Sequence, residues 1–341
     1  ERAKAGAAAR GKRVTFSLPT NATLLDAETA RWLFDEGVQI FLSIDGDADA
    51  QRGRPLRSGK NSHHLAMAGL RAARGAIGQA PAVRMTVTSE NAVRLAKNVA
   101  FFANEGVLEI LAYPTFDQVW TREELDGFAR GQEALARWLV AALDASVDPR
   151  GEVPELRAWQ PILRSLLPSG QRRRRSGMLS YCGAGDELLA VRIDGRLSPC
   201  HRFVFYDDRA APRFDMGYLP GSQPSGEAPG PLPNAETRAL SSLRVEEMRG
   251  KTRCVDCDIY DHCTIGCVAI GVATTGDPAH VSPSACDLQR AQVDACRLVV
   301  KLLGAEDPRL LLYLGQSLTD TLTETSARLG TSAWRHYSFS E

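Results

Sequence analysis

No cysteine precedes residue 182, neither sign of charge is in excess, and no apolar run is long enough to cross a bilayer. Each absence excludes something. The 341 residues carry 41 basic and 41 acidic side chains, a formal net charge of zero. Long-range attraction to phosphate or anionic lipid is therefore missing, so neither a nucleic-acid partner nor a membrane partner is expected. A membrane-spanning helix needs roughly 18 consecutive apolar residues, and no segment of this sequence supplies them. The basic, alanine-rich start from Glu1 to Arg13 is followed by no apolar stretch of the signal-peptide type, so it reads as a helix surface. What is present is ordinary for a folded chain, with 44% apolar and 24% charged residues. At roughly 150 residues per domain the length allows two domains.

Strand and helix signals alternate through the first half. Val14 to Leu18 is a short β-type run that leads into a loop, Pro19 to Thr23. Asp26 is placed to cap a helix over Ala27 to Gly37, with Trp32, Leu33 and Phe34 on its apolar side. Val38 to Ile44 is a nearly continuous apolar strand, closed by the polar turn Asp45-Gly46-Asp47. A helix is expected over Ser62 to Arg74, ended by Gly75. A strand over Ala82 to Thr88, a helix over Asn91 to Gly106 and a strand over Leu108 to Tyr113 follow. Thr121 to Leu143 has the apolar spacing of a long amphipathic helix. Repeated β-α units at this spacing predict an α/β fold with a parallel sheet and right-handed crossovers. Ligands of such sheets bind at the C-terminal strand ends. The loops at Pro19–Thr23, Asp45–Asp47 and Ser89–Asn91 and the segment after Tyr113 then share one edge. The arginine run Arg172–Arg175 reads as a solvated linker, and residues 219 to 234, with five prolines and three glycines, as an irregular excursion.

The cysteines carry the chemistry. Cys254 and Cys257 form a C-x2-C pair, Cys263 and Cys267 follow, Cys182 and Cys200 lie upstream around Gly195, and Cys286 lies downstream. Disulfides suit small secreted domains, whereas this chain has a large core without them. A C-x2-C pair grips a tetrahedral zinc ion, but no second pair of that spacing is present. Iron–sulfur cubanes accept scattered thiolates, because each iron takes one and the corners lie apart. By spacing, iron–sulfur is favoured and zinc stays open.

The pattern Cys182-x12-Gly195-x4-Cys200, Cys254-x2-Cys257-x5-Cys263-x3-Cys267 and Cys286 resembles the SPASM domain of radical SAM peptide and protein maturases. Upstream, Phe16 to Leu25 resembles the family's TNGTLL strand and loop. Phe41-Leu42-Ser43-Ile44-Asp45-Gly46 resembles its LSLDG segment, and Arg54 to Gly59 its R-x4-G segment. Val87 to Asn91 resembles the strand end that follows. The resemblance covers roughly residues 13 to 303 and follows the anaerobic sulfatase-maturase-like branch. It implies a partial (βα) TIM-like radical SAM barrel over 1–165, a linker over 166–176, a cysteine-rich iron–sulfur SPASM domain over 177–303 and a helical tail over 304–341.

By the same resemblance, one auxiliary [4Fe-4S] cluster is held by Cys254, Cys257, Cys263 and Cys286, and a second by Cys182, Cys200 and Cys267. Sulfatase maturases have a further cysteine where this chain has Leu188, so the fourth iron of the second cluster is open or takes a ligand such as Asp186 or Glu187. Cys296 lies outside the motif and reads as a packed free thiol. S-adenosyl-L-methionine (AdoMet) is expected against Asn21, Ala22, Ser43 and Arg54. Ala22 stands where the family usually has glycine, and alanine suits that position if its φ is negative. Two departures matter. The C-x3-C-x2-C loop that binds the reducing cluster is not among these residues, so a third [4Fe-4S] cluster is expected only in a longer chain and the 341 residues alone are expected to be inactive. The aspartate base that follows the Cys200 position in sulfatase maturases is His201 here, a residue that also accepts protons near neutral pH.

The intact protein is then expected to be an oxidoreductase that modifies a ribosomally made precursor peptide, by oxidation or cross-linking, through a 5′-deoxyadenosyl radical. Formylglycine formation in a sulfatase and a non-catalytic peptide-binding scaffold are the alternatives. A low-potential donor such as ferredoxin or flavodoxin and a reducing cytoplasm go with that chemistry.

Overall fold

Five short segments rich in apolar residues make one sheet: β1 (Phe16–Thr20), β2 (Val38–Ser43), β3 (Ala82–Val87), β4 (Glu109–Pro114) and β5 (Glu155–Leu156). The computed structural model describes residues 1–167, 182–206, 213–226, 230–244, 247–248, 254–263 and 266–315. All four strand pairings are parallel, and the strands lie in sequence order, β1-β2-β3-β4-β5. Each crossover therefore steps in the same direction. That order builds the wall of a (βα) barrel, whereas a doubly wound sheet reverses partway. The α/β expectation holds.

The two faces of this sheet differ in chemistry because side chains alternate along a strand. One face carries Ile40, Leu42, Val83, Met85, Val87 and Ile110, all buried. It belongs with the helices α2 (Ala27–Asp35), α3 (His63–Ile77), α4 (Leu95–Asn104) and α5 (Arg122–Ala145), which bury Leu33, Met67, Leu70, Val99, Phe102 and Phe128. The other face carries Ser43, Arg84, Thr86, Glu109 and Tyr113. Alternation along each strand thus puts an apolar layer under the helices and a polar layer on the opposite face.

Local signals set most of the boundaries. Asp26 accepts a hydrogen bond from the Thr29 amide at 2.8 Å and starts α2. Thr121 and Glu124 form a reciprocal capping box at the head of α5. Other expectations are corrected. Pro19 and Thr20 are not loop residues but the end of β1, paired with Phe41 and Leu42. Proline is accommodated there because β1 is the edge strand of the sheet. Trp32 is 60% exposed, leaving Leu33 as the buried contact of α2. Helix α3 runs through Gly75 and ends at Gly78, whose φ of 91° is the left-handed conformation a helix stop requires. The expected helix over 91–106 is a 3-10 turn, Ala92–Arg94, followed by α4. The arginine run at 172–175 lies outside the described residues, as does the tail beyond Gly315, where only Pro308–Gly315 of the expected helix is described.

The chain divides into two compact units, one of residues 1–115, 121–171 and 291–341, the other of residues 116–120 and 172–290. In the first, Tyr313 closes the sheet edge, its hydroxyl donating to the Pro154 carbonyl at 3.1 Å and accepting from the Leu156 amide at 2.9 Å. The second holds a hairpin, β6 (Ala190–Val191) and β7 (Leu197–Ser198), turned at Gly195 with φ 82°. An added Cβ at Gly195 meets Ser222 Cβ at 2.2 Å, so the turn has no room for a side chain. Its core gathers Phe203, Phe214, Leu240, Met248, Val268 and Ala269, with Cys200, Cys263 and Cys267 packed into the same cluster.

Candidate functional site

At the C-terminal edge of the parallel sheet, backbone geometry builds a tight loop after β1. The Thr20 hydroxyl accepts from the Ala22 amide at 3.2 Å, and Asn21 Oδ1 accepts from the amide and hydroxyl of Thr23 at 3.2 and 2.9 Å. Ala22 is fully buried and has φ 61°, not the negative value expected of an alanine. The chain keeps the left-handed turn that glycine adopts freely, at a cost of roughly 1–2 kcal/mol for a residue with a Cβ. Helix α3 supports that turn from below. A Cβ on Gly69 would lie 2.1 Å from the Ala22 carbonyl oxygen, so glycine at 69 is what lets the helix approach.

Beside this loop, Ser43 ends β2 and is half-buried. Arg54 does not stand alone. Its Nε and Nη2 reach both oxygens of the buried Asp45 carboxylate at 2.7 and 3.0 Å, and Nη2 also donates to Thr86 Oγ1 at 2.7 Å. Asp45 Oδ1 further accepts from the Thr86 amide at 2.7 Å. A bidentate arginine pair with an added backbone donor satisfies a buried carboxylate well. Gln51 closes the loop by accepting from the Asp45 amide at 2.8 Å and donating to Ser62 Oγ at 3.0 Å, and Ser62 donates to the Arg54 carbonyl at 2.6 Å. The motifs do not mark Asp45, Gln51, Ser62 or Thr86 as site residues. The usable signal is the alternation in Ala82–Val87, where Arg84 and Thr86 put two polar residues on one face of an apolar strand.

Further along the same edge, Asp47 sits 2.7 Å from Arg94 and 3.0 Å from Lys97. Burial pushes its carboxyl up, but hydrogen bonds from the Ala50 amide and Lys97 and the two positive charges hold it below the usual range. The group stays ionised and clamps the turn after β2 onto α4.

In the second unit the cysteines form no disulfide among the described residues. Cys200 is buried, and burial pushes its thiol up, with the nearby Cys267 adding to the shift. Cys263 Sγ lies 3.9 Å from Gln289 Oε1, and Cys257 Sγ lies 3.7 Å from Arg290 Nη2. Gln289 and Arg290 stand three and four residues after Cys286 on the helix Pro283–Leu303, the spacing that puts residues on one helical face. Cys257 and Cys263 thus meet the face that carries Cys286. Cys254 is half-buried and Cys182 and Cys286 are exposed, while Cys296, in the first unit, is a fully buried thiol whose pKa burial drives well up. His201 is exposed, and so are Asp186, Glu187 and Leu188.

These donors fit a thiophilic metal or cluster in kind and in neighbourhood, since thiols near one another are the ligands such centres use. Among the described residues they do not converge as they stand, for no group of three or more His, Cys, Asp or Glu side chains is close enough to hold one ion.

No protein-family model matches the chain, and no curated protein matches it in sequence. Solved structures match it in fold. A histidine-tagged form of anSMEcpe with bound AdoMet aligns with 95% of this chain and 78% of its own, at a TM-score of 0.62 and 14% identity. "Native anSMEcpe with bound AdoMet" covers 90% and 77% at 0.61 and 14% identity. "Native anSMEcpe with bound AdoMet and Cp18Cys peptide" covers 90% and 78% at 0.60 and 13% identity. That protein is an anaerobic sulfatase-maturating radical SAM enzyme with a SPASM domain. The chain shares that protein's fold, and its five-stranded parallel sheet matches part of a TIM-like barrel.

Proposed function

We propose that the chain is the AdoMet-binding and auxiliary-cluster portion of a radical SAM maturase that oxidises or cross-links a ribosomally made peptide. The observation that carries this is the fold likeness over 95% of the chain to an enzyme solved with AdoMet, and in a further structure with peptide. The left-handed loop at Asn21 and Ala22, the strand end at Ser43 and the buttressed Arg54 line one edge of the sheet and hold AdoMet. In the second unit Cys254, Cys257, Cys263 and Cys286 hold one [4Fe-4S] cluster, while Cys182, Cys200 and Cys267 hold another. The neighbourhood of Cys257, Cys263 and Cys286 supports the first set, and that of Cys200 and Cys267 the second. When bound, AdoMet supplies the radical and the clusters supply electron transfer, with a low-potential protein as donor. His201 serves as a proton acceptor beside the second set. Its imidazole in place of the sulfatase maturases' aspartate favours a peptide modification other than formylglycine.

The test reads metal and ligand, since the 341 residues contain no C-x3-C-x2-C loop. After anaerobic reconstitution, two cubanes give about eight irons and about eight sulfides per chain. Equilibrium dialysis is expected to show one AdoMet per chain, weakened by Ser43→Ala. Stoichiometric zinc without sulfide overturns the cluster assignment.

A further inference from the structure

The polar face of the sheet carries three arginines, and they differ in what they are tied to. Arg54 reaches it from the loop after β2 and is engaged by Asp45 and Thr86. Arg157 follows β5 and lies 3.0 Å from Glu155 and 3.4 Å from Glu109. Arg84 sits in the central strand β3, is exposed, and makes no hydrogen bond or ion pair among the described residues.

The register says what surrounds it. Arg84 pairs with Ser43 on one side and with Leu111 on the other. Thr20 is paired with Leu42 and ends β1, and Asn21, whose Oδ1 is held by Thr23, follows it. A hydroxyl and an unengaged guanidinium therefore share one row on one face. Thr86 stands one row above on the same face and fixes the Arg54 guanidinium there, with Nη1 left outside the Asp45 pair. A guanidinium offers a planar fork that matches a carboxylate through two parallel hydrogen bonds.

We infer that Arg84 is the anion-binding residue of this face and receives a carboxylate, with Ser43 as its neutral neighbour and Arg54 as a second, buttressed cation. Two sources supply such a group, the amino-acid end of AdoMet and an acidic side chain of the peptide. The inference rests on the proposed AdoMet site for the first source only.

The experiment compares the intact chain with Arg84→Gln and Arg84→Lys. Probes are AdoMet, decarboxylated AdoMet, which keeps the sulfonium and amine, and the amides of N-acetyl-aspartate and N-acetyl-asparagine. Loss of one charge-assisted pair weakens binding by about ten- to a hundredfold. If AdoMet is the source, Arg84→Gln loses that much for AdoMet and less than about twofold for the decarboxylated form, and Arg84→Lys recovers part. If the peptide is the source, the loss falls on the aspartate probe and not on the asparagine one. Unchanged affinity for every carboxylate probe overturns the inference. So does an equal loss for AdoMet and its decarboxylated form. If the unsubstituted chain binds no AdoMet, the AdoMet reading fails by itself, and the two amide probes decide whether Arg84 is an anion site.

Discussion

Replacing Glu109 by glutamine is expected to flatten the pH dependence of stability. Glu109 opens β4 on the polar face with its side chain 14% exposed. Its partner Arg157 lies closer to Glu155, at 3.0 Å, than to Glu109, at 3.4 Å. One guanidinium cannot neutralise both carboxylates. Burial pushes the Glu109 carboxyl from 4.5 up to about 8, opposed by Arg157 and helped by the Glu155 charge. Between those values the native state holds a proton that the unfolded chain has released, so stability falls as pH rises. The slope is about 1.4 kcal/mol per pH unit for one proton, which makes the whole window worth on the order of 4 kcal/mol. Glutamine mimics the protonated form and cannot ionise. Urea denaturation of the intact chain at pH 5, 6.5 and 8 is the assay. The variant should match the unsubstituted chain near pH 5 and exceed it by several kcal/mol near pH 8. A weaker slope should persist in the variant, because burial also raises Glu155. Parallel stability curves for the two proteins would refute the reasoning and mean that Arg157 keeps Glu109 ionised.

Local geometry sets the remaining outcomes. Gly69→Ala forces a Cβ to 2.1 Å from the Ala22 carbonyl oxygen and should cost about 1–3 kcal/mol in urea denaturation and weaken AdoMet in dialysis. Gly75→Ala, on the same helix with nothing within 4 Å, should instead stabilise by about 0.4–1 kcal/mol. Asp45→Asn leaves Arg54 without its buried carboxylate and should cost about 3–5 kcal/mol, read as a lower urea midpoint. Thr121→Ala removes a side-chain cap from α5 and should lower stability by about 1 kcal/mol, with Thr121→Ser restoring most of it.

Much of the first unit was legible because its signals are local. Apolar alternation marks β2, β3 and β4, and Asp26 and Thr121 cap helices through amides three residues away. The errors have equally specific causes. Pro19 reads as a loop residue until β1 is known to be an edge strand, where a missing amide is harmless. Gly75 and Gly78 are equivalent as letters, and the backbone conformation alone distinguishes a helix interior from a helix stop. Ala22 looks like a negative-φ residue, yet the close approach of Gly69 accompanies a left-handed turn that alanine must tolerate.

Amino-acid order suffices for the α/β class, the edge on which the loops gather, and the confinement of all eight thiols to residues 182–296. It does so because periodicity, capping and spacing act over a few residues. Which arginine on the polar face is engaged and which is open depends on Asp45, Thr86 and Glu155, set 9, 32 and 2 positions from their partners Arg54 and Arg157. The same holds for Cys257 and Cys263, which meet the helix after Cys286 through Gln289 and Arg290. Those pairings come from strand register and helix placement, and a charge or thiol in the linear chain carries no mark of the neighbour that folding will bring to it.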